Sequence, residues 1–91
     1  MIQMGDVLVT LKILPKDTDA DIKSIEDQVK RNIEGLCSIN RMDEVDIGFG
    51  LKYIKLEIIV QDKEGEIDRV ENSISSIEGV GEISTENVSL I

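Results

Sequence analysis

The groups in this sequence that could take part in covalent chemistry are almost all carboxylates. The chain contains no histidine and one cysteine, Cys37, so it cannot build a nucleophile–histidine pair or one of the common zinc sites. Its 19 acidic side chains are spread over polar positions, and no apolar pocket that would raise a carboxyl pKa is visible. The sequence therefore predicts neither an enzyme nor a bound metal or cofactor.

One acidic segment opens like a calcium-binding loop, with aspartates at positions 17, 19 and 21. Its sixth position is Ile22, where such a loop needs glycine, and its twelfth is Gln28, where a bidentate glutamate belongs. Capping of a following helix explains these aspartates better than a metal does.

The tripeptide Gly48-Phe49-Gly50 is the strongest indication of a binding site. It is too short to be a dinucleotide or phosphate loop, which needs more glycines at set offsets. It places the only phenylalanine of the chain between two flexible residues at a predicted hairpin turn. A ring at a loop tip can anchor a partner, because buried aromatic residues dominate interface energies. From the spacing alone, Phe49 could equally fold back over the sheet edge.

Hydrophobic periodicity predicts the elements before this tripeptide. Alternating apolar residues predict a strand over residues 6–14, which Pro15 ends because it has no N–H to donate. A helix is expected over about residues 19–32, with Thr18 and Asp21 able to cap its start. Its apolar stripe is Ile22, Ile25, Val29 and Ile33.

Two antiparallel strands, over residues 38–47 and 51–60, are expected to meet at the glycines. In the first strand we expect Ile39, Val45 and Ile47 to point inward. In the second, the inward face is Ile54, Leu56, Ile58 and Val60, and Tyr53, Lys55 and Glu57 alternate outward. A second helix then carries Ile67, Val70, Ile74 and Ile77, and a closing strand spans residues 82–90.

The βαββαβ order predicts an α+β fold, a ferredoxin-like two-layer sandwich in which two helices cover one face of a four-stranded antiparallel sheet. We expect a single domain over residues 1–91, with residues 1–4 as a flexible N-terminus. The other face of the sheet, which carries Lys12, Lys55 and Glu57, is expected to be exposed to solvent.

The formal charge of −9 disfavours a direct nucleic-acid partner and an anionic membrane surface, because both are polyanions. No apolar run approaches the roughly 20 residues of a membrane span. A lone cysteine and the absence of a leader-like segment favour the cytoplasm.

One segment, together with the acidic turn at residues 62–65, resembles the exchange domain of translation elongation factor 1-beta. That segment reads Asp46-Ile47-Gly48-Phe49-Gly50-Leu51-Lys52. The start of the chain, residues 4–15, and a later stretch, residues 76–80, look like the short archaeal members of this family. The resemblance covers nearly the whole chain, and that coverage makes it more specific than any one motif.

The resemblance implies a guanine-nucleotide exchange factor that promotes GDP release and GTP reloading on elongation factor 1-alpha during protein synthesis. Position by position, it implies that Phe49 fills a pocket of this GTPase, that Gly48 and Gly50 allow close approach, and that Lys52 and Tyr53 lie beside the contact.

The resemblance also concerns the C-terminal tail. Eukaryotic relatives use a lysine near the C-terminus to disturb the magnesium site of the GTPase, whereas this tail ends in Ser89, Leu90 and Ile91. We therefore expect these three residues to touch the partner, and exchange to rely on distortion of the phosphate-binding and switch segments, with magnesium loss secondary.

An amino-acid-sensing regulatory domain is the alternative function, because it shares this topology and needs neither histidine nor cysteine. Such a domain favours a glycine in the loop after its first strand, where this chain has Pro15, Lys16 and Asp17. Calorimetry with free amino acids separates the two functions, since only the sensor would give a heat of binding.

Overall fold

A computed structural model describes residues 5–17, 21–62 and 65–90. Its elements are β1 (Asp6–Pro15), α1 (Ile22–Ile33), β2 (Ser38–Gly48), β3 (Leu51–Gln61), α2 (Glu66–Ser75) and β4 (Val80–Leu90). The strands form one sheet in the order β2-β3-β1-β4, and each neighbouring pair is antiparallel. The predicted ferredoxin-like α+β fold is confirmed.

Aliphatic side chains of the two central strands and both helices form the core. Every second residue of β1 from Val7 to Ile13 is buried, and each lies opposite a buried residue of β3. The helices cover this face with their buried residues, which are Ile25, Val29 and Ile33 in α1 and Val70 and Ile74 in α2. The predicted periodicities of 2 and 3.6 are confirmed in these four elements because each has one fully covered face.

The edge strand β2 differs from the prediction. Val45 lies opposite Tyr53, on the face away from the helices, and Ile39 and Ile47 are 36% and 46% exposed. Two register shifts in the pairing of β2 with β3 break the alternation that the prediction assumed. Met42 is the β2 side chain that packs against the core. The prediction is therefore wrong for Val45, whereas Ile39 lies opposite the buried Ile58, on the side of the sheet that the helices cover.

Helix α1 is capped by Asp21. The backbone of Asp21 is extended, and the Asp21 Oδ1 accepts hydrogen bonds from the backbone N–H groups of Lys23 and Ser24 at 3.1 and 3.3 Å. Asp21 thus satisfies two donors that the first turn leaves unpaired, as an N-cap does. Thr18 and Asp19, which the sequence placed at this helix start, lie outside the described residues.

The start of β4 pairs with the end of β1, and at Gly81 the two backbones approach each other very closely. A Cβ at Gly81 would lie 2.9 Å from both the Lys16 Cα and the Pro15 carbonyl oxygen, so the backbones would have to separate. We expect Gly81→Ala to lower the free energy of unfolding by about 1–3 kcal/mol, measured by urea denaturation.

Gly35→Ala is the matched control for Gly81→Ala. A Cβ at Gly35 meets nothing within 4 Å, so we expect its free energy of unfolding to stay the same or to rise slightly. Equal urea midpoints for the two variants would show that the close approach of the β1 and β4 backbones does not constrain residue 81.

Candidate partner-binding site

Residues 48–50, here called the hairpin tip, join β2 to β3. Gly48 pairs with Leu51, so Phe49 and Gly50 form a two-residue loop. The φ angles of the three tip residues are 93°, 56° and 76°. Positive φ at both loop residues is what a type I′ hairpin turn requires. Glycine adopts these angles freely, whereas a phenylalanine in the left-handed region costs about 1–2 kcal/mol.

The Phe49 side chain projects into solvent with a relative exposure of 101%. The ring therefore does not fold back over the sheet edge, which decides between the two orientations that the sequence left open. Ile47 and Leu51, on either side of the tip, are also exposed large hydrophobic residues. Clustered exposed apolar surface is typical of interaction sites, whereas single exposed residues are ordinary.

A groove with a volume of about 390 Å³ lies beside the hairpin tip, between the end of β1 and the start of β3. Its apolar lining consists of Leu14, Pro15, Ile22, Ile47 and Leu51. Its charged lining consists of Lys16, Asp17 and Lys52, and Gly50 completes the wall. The groove extends the apolar surface of the tip toward the start of α1.

Lys52 and Tyr53 do not share a surface. The Lys52 Nζ lies 3.8 Å from Oε1 of Glu44, and the Nζ of Lys23 in α1 lies 3.9 Å from Oε2 of the same carboxylate. Lys52 therefore faces the helices. Tyr53 lies on the sheet face away from the helices, here called the open face, where the Lys12 Nζ is 4.7 Å from the centroid of the Tyr53 ring. Neighbouring residues of a strand point to opposite faces, so Lys52 and Tyr53 would flank a contact at the hairpin tip on different sides of the sheet.

The C-terminal tail lies at the far end of the sheet from the hairpin tip. Leu90 pairs with Val7 of β1, which pairs in turn with Val60 near the end of β3. The tip adjoins Leu51, at the start of that strand. The span of β3 between these two residues is about 30 Å at roughly 3.4 Å per residue. The structure therefore does not bring the two predicted groups of site residues together.

Within the tail, the described residues are partly accessible. The Ser89 hydroxyl accepts a hydrogen bond from the Asn87 side-chain amide at 3.1 Å, and Leu90 is 74% exposed. Ile91 lies outside the described residues.

Burial shifts the pKa of two groups away from the hairpin tip. It raises the pKa of the Cys37 thiol to about 11. Burial also raises the pKa of Glu26, and a hydrogen bond to Glu44 and the negative charge of Glu44 raise it further. The charges of Lys23 and Lys30 lower the pKa of Glu26. Glu26 could not be recognised from the sequence, because its partner Glu44 is distant along the chain.

Asp46 was not recognised from the sequence as a residue that contacts the hairpin tip. Its Oδ1 accepts a hydrogen bond from the backbone N–H of Gly48 at 2.8 Å, so it contacts the hairpin tip directly. An aspartate two residues before a turn glycine is a known local signal for such a bond.

Within the part of the chain that the structure describes, neither helix has the length and the apolar composition of a membrane span. The fold and the exposed ring at the hairpin tip together define a small ferredoxin-like domain with a candidate surface for binding another macromolecule.

Comparison with known families matches residues 8–91 to the EF-1 guanine nucleotide exchange domain. The chain is 60% identical to elongation factor 1-beta of Thermoplasma volcanium, over 97% of this chain and all of that protein. It is 34% identical to elongation factor 1-beta of Methanothermobacter thermautotrophicus, over 93% and 96% of the two chains. It is 37% identical to elongation factor 1-beta of Aeropyrum pernix, over 94% of this chain and 97% of that protein.

The chain belongs to the EF-1 guanine nucleotide exchange domain family, as its resemblance to that family predicted. It is a nucleotide exchange factor for elongation factor 1-alpha in translation.

Proposed function

We propose that this chain accelerates GDP release by binding the nucleotide-free form of elongation factor 1-alpha through the hairpin tip. The observation that carries the proposal is the complete exposure of Phe49 on a tight turn. A protein that prefers the empty GTPase weakens nucleotide binding by the same factor, because coupling between two sites is reciprocal. GTP then rebinds and displaces the exchange factor.

The Phe49 ring fills a pocket of the GTPase, and its burial there supplies the largest part of the binding energy. Gly48 and Gly50 have no side chains, so the backbone of the tip can approach the pocket rim closely. Ile47 and Leu51, both more than a third exposed, surround the ring and exclude water from the contact.

Lys52 and Tyr53 flank this contact on opposite faces of the sheet. Lys52 lines the groove beside the tip, where its exposed ammonium can pair with an acidic group of the GTPase. Tyr53 borders the contact on the sheet face away from the helices, where the ammonium of Lys12 lies over the Tyr53 ring.

No covalent step is part of this function, so we propose that the chain is not an enzyme. Differential binding alone changes the lifetime of the GDP complex. The Cys37 thiol, whose pKa is raised to about 11, stays protonated at neutral pH and is a poor nucleophile. We place the chain in the cytoplasm with the GTPase as its direct partner, and its charge of −9 opposes direct contact with nucleic acid or anionic membranes.

The tail residues Ser89, Leu90 and Ile91 make a second, weaker contact. About 30 Å of strand separate Leu90 from the tip, so a single pocket cannot receive both Leu90 and Phe49. A serine hydroxyl can compete for a magnesium ligand but cannot oppose the metal by charge as a lysine does. Exchange therefore depends mainly on distortion of the phosphate-binding and switch segments of the GTPase.

Release of a fluorescent GDP analogue from archaeal elongation factor 1-alpha tests this assignment of roles. We expect the wild-type chain to accelerate release, and removal of residues 89–91 to lower the acceleration by about threefold or less, since peripheral contacts contribute little. Circular dichroism confirms that the shortened chain is folded at the assay temperature. Complete loss of acceleration in the shortened chain, with full acceleration by Phe49→Ala, would reverse the proposed roles.

A further inference from the structure

We infer that Asp46 is a positioning residue that holds the Phe49 ring in its binding orientation. The Asp46 Oδ1 accepts the Gly48 N–H at 2.8 Å, and this bond closes the chain immediately before the loop residues. The inference rests on the proposed function, in which Phe49 is the anchor, and adds a residue that need not touch the GTPase.

The hairpin tip needs such a bond because its own residues do not favour its conformation. Gly48 and Gly50 populate positive and negative φ about equally, and Phe49 disfavours the φ of 56° that it adopts. A side-chain acceptor that fixes Gly48 at its φ of 93° reduces the number of alternative conformations. If only a fraction of molecules held the ring outward, the apparent affinity for the GTPase would equal the intrinsic affinity multiplied by that fraction.

Hydrogen bonding, and not charge pairing, is the role that the geometry gives to this carboxylate. Asp46 lies opposite Lys52 in the strand register, but the Lys52 ammonium is directed at Glu44, 3.8 Å away. An asparagine at position 46 would keep the acceptor oxygen and lose the charge. Asp46→Asn is therefore the variant that separates the two roles.

The test measures GDP release from elongation factor 1-alpha as a function of exchange-factor concentration. We expect Asp46→Ala to raise the half-saturating concentration by about 3- to 10-fold, the usual effect of one hydrogen bond, with the maximal rate unchanged. Asp46→Asn is expected to behave as the wild type. Asp43→Ala is the matched control, because this aspartate of the same strand pairs with Arg41 at 2.6 Å instead of contacting the tip.

A double-mutant cycle shows whether Asp46 acts through the ring. In the Phe49→Ala background, we expect Asp46→Ala to cause no further loss, because no ring remains to be positioned. Hydrogen exchange of the free chain gives a second measurement, in which the Gly48 amide exchanges faster in Asp46→Ala than in the wild type.

An equal loss in both backgrounds, a wild-type value for Asp46→Ala, or failure of asparagine to rescue would each overturn the inference. In those cases a large effect of Phe49→Ala would leave the proposed function standing. If Phe49→Ala itself had no effect, the proposed function would fail, and the role of Asp46 would fail with it.

Discussion

Replacing Phe49 with alanine is expected to lower the acceleration of GDP release by about 30-fold at subsaturating concentrations of the exchange factor, the loss typical of a binding hot spot of roughly 2 kcal/mol. The free energy of unfolding should change little, because the ring is fully exposed in the free chain. The two effects are measured by fluorescent-GDP release and by urea denaturation of the same preparation.

Val88→Ala is the control for the loss of exposed apolar surface. Val88 is a large hydrophobic residue of β4 that is 50% exposed, and it lies outside the proposed contact. We expect its exchange activity to equal that of the wild type. If Val88→Ala and Phe49→Ala lost the same activity, general apolar surface and not the hairpin tip would carry the binding.

Replacing Leu56 with alanine is expected to have the largest effect on stability. Leu56 is fully buried in β3, between Leu11 of β1 and Met42 of β2. Removal of a buried leucine side chain costs about 2–5 kcal/mol, a large share of the roughly 5–15 kcal/mol that stabilises a small domain. We therefore expect Tm to fall by about 10–30 °C in a thermal melt followed by circular dichroism.

Leu51→Ala is the matched control, since it removes the same side chain from the same strand at a position that is 38% exposed. Its Tm should fall by much less than that of Leu56→Ala. At a temperature where Leu56→Ala remains folded, the exchange activity of the Leu56→Ala variant should be preserved, because Leu56 lies in the core and not at the hairpin tip. Equal Tm losses for the two variants would contradict the proposed core.

The architecture and the exposed position of Phe49 on a turn could be predicted from the sequence, because each depends on a local pattern. Strict alternation in β1 and β3 and the helical stripes identified the core face, since those elements are covered on one side only. The glycines around Phe49 identified a tight turn, because only glycine adopts positive φ without cost. These features need no knowledge of distant contacts.

Other parts of the site could not be predicted because they depend on register and topology. The shifts in β2 move Val45 to the open face, and no residue type in the sequence marks them. The separation of Leu90 from the tip follows from the pairing of β4 with the start of β1.

The affinity of the chain for nucleotide-free and for GDP-bound elongation factor 1-alpha tests the central claim most directly. Titration calorimetry with the stripped GTPase and with the GDP complex measures both values under the same conditions. The account predicts tighter binding to the nucleotide-free form, by about 5- to 150-fold for a typical coupling between sites. Equal affinity for the two forms would contradict it, because a ligand without such a preference cannot promote GDP release.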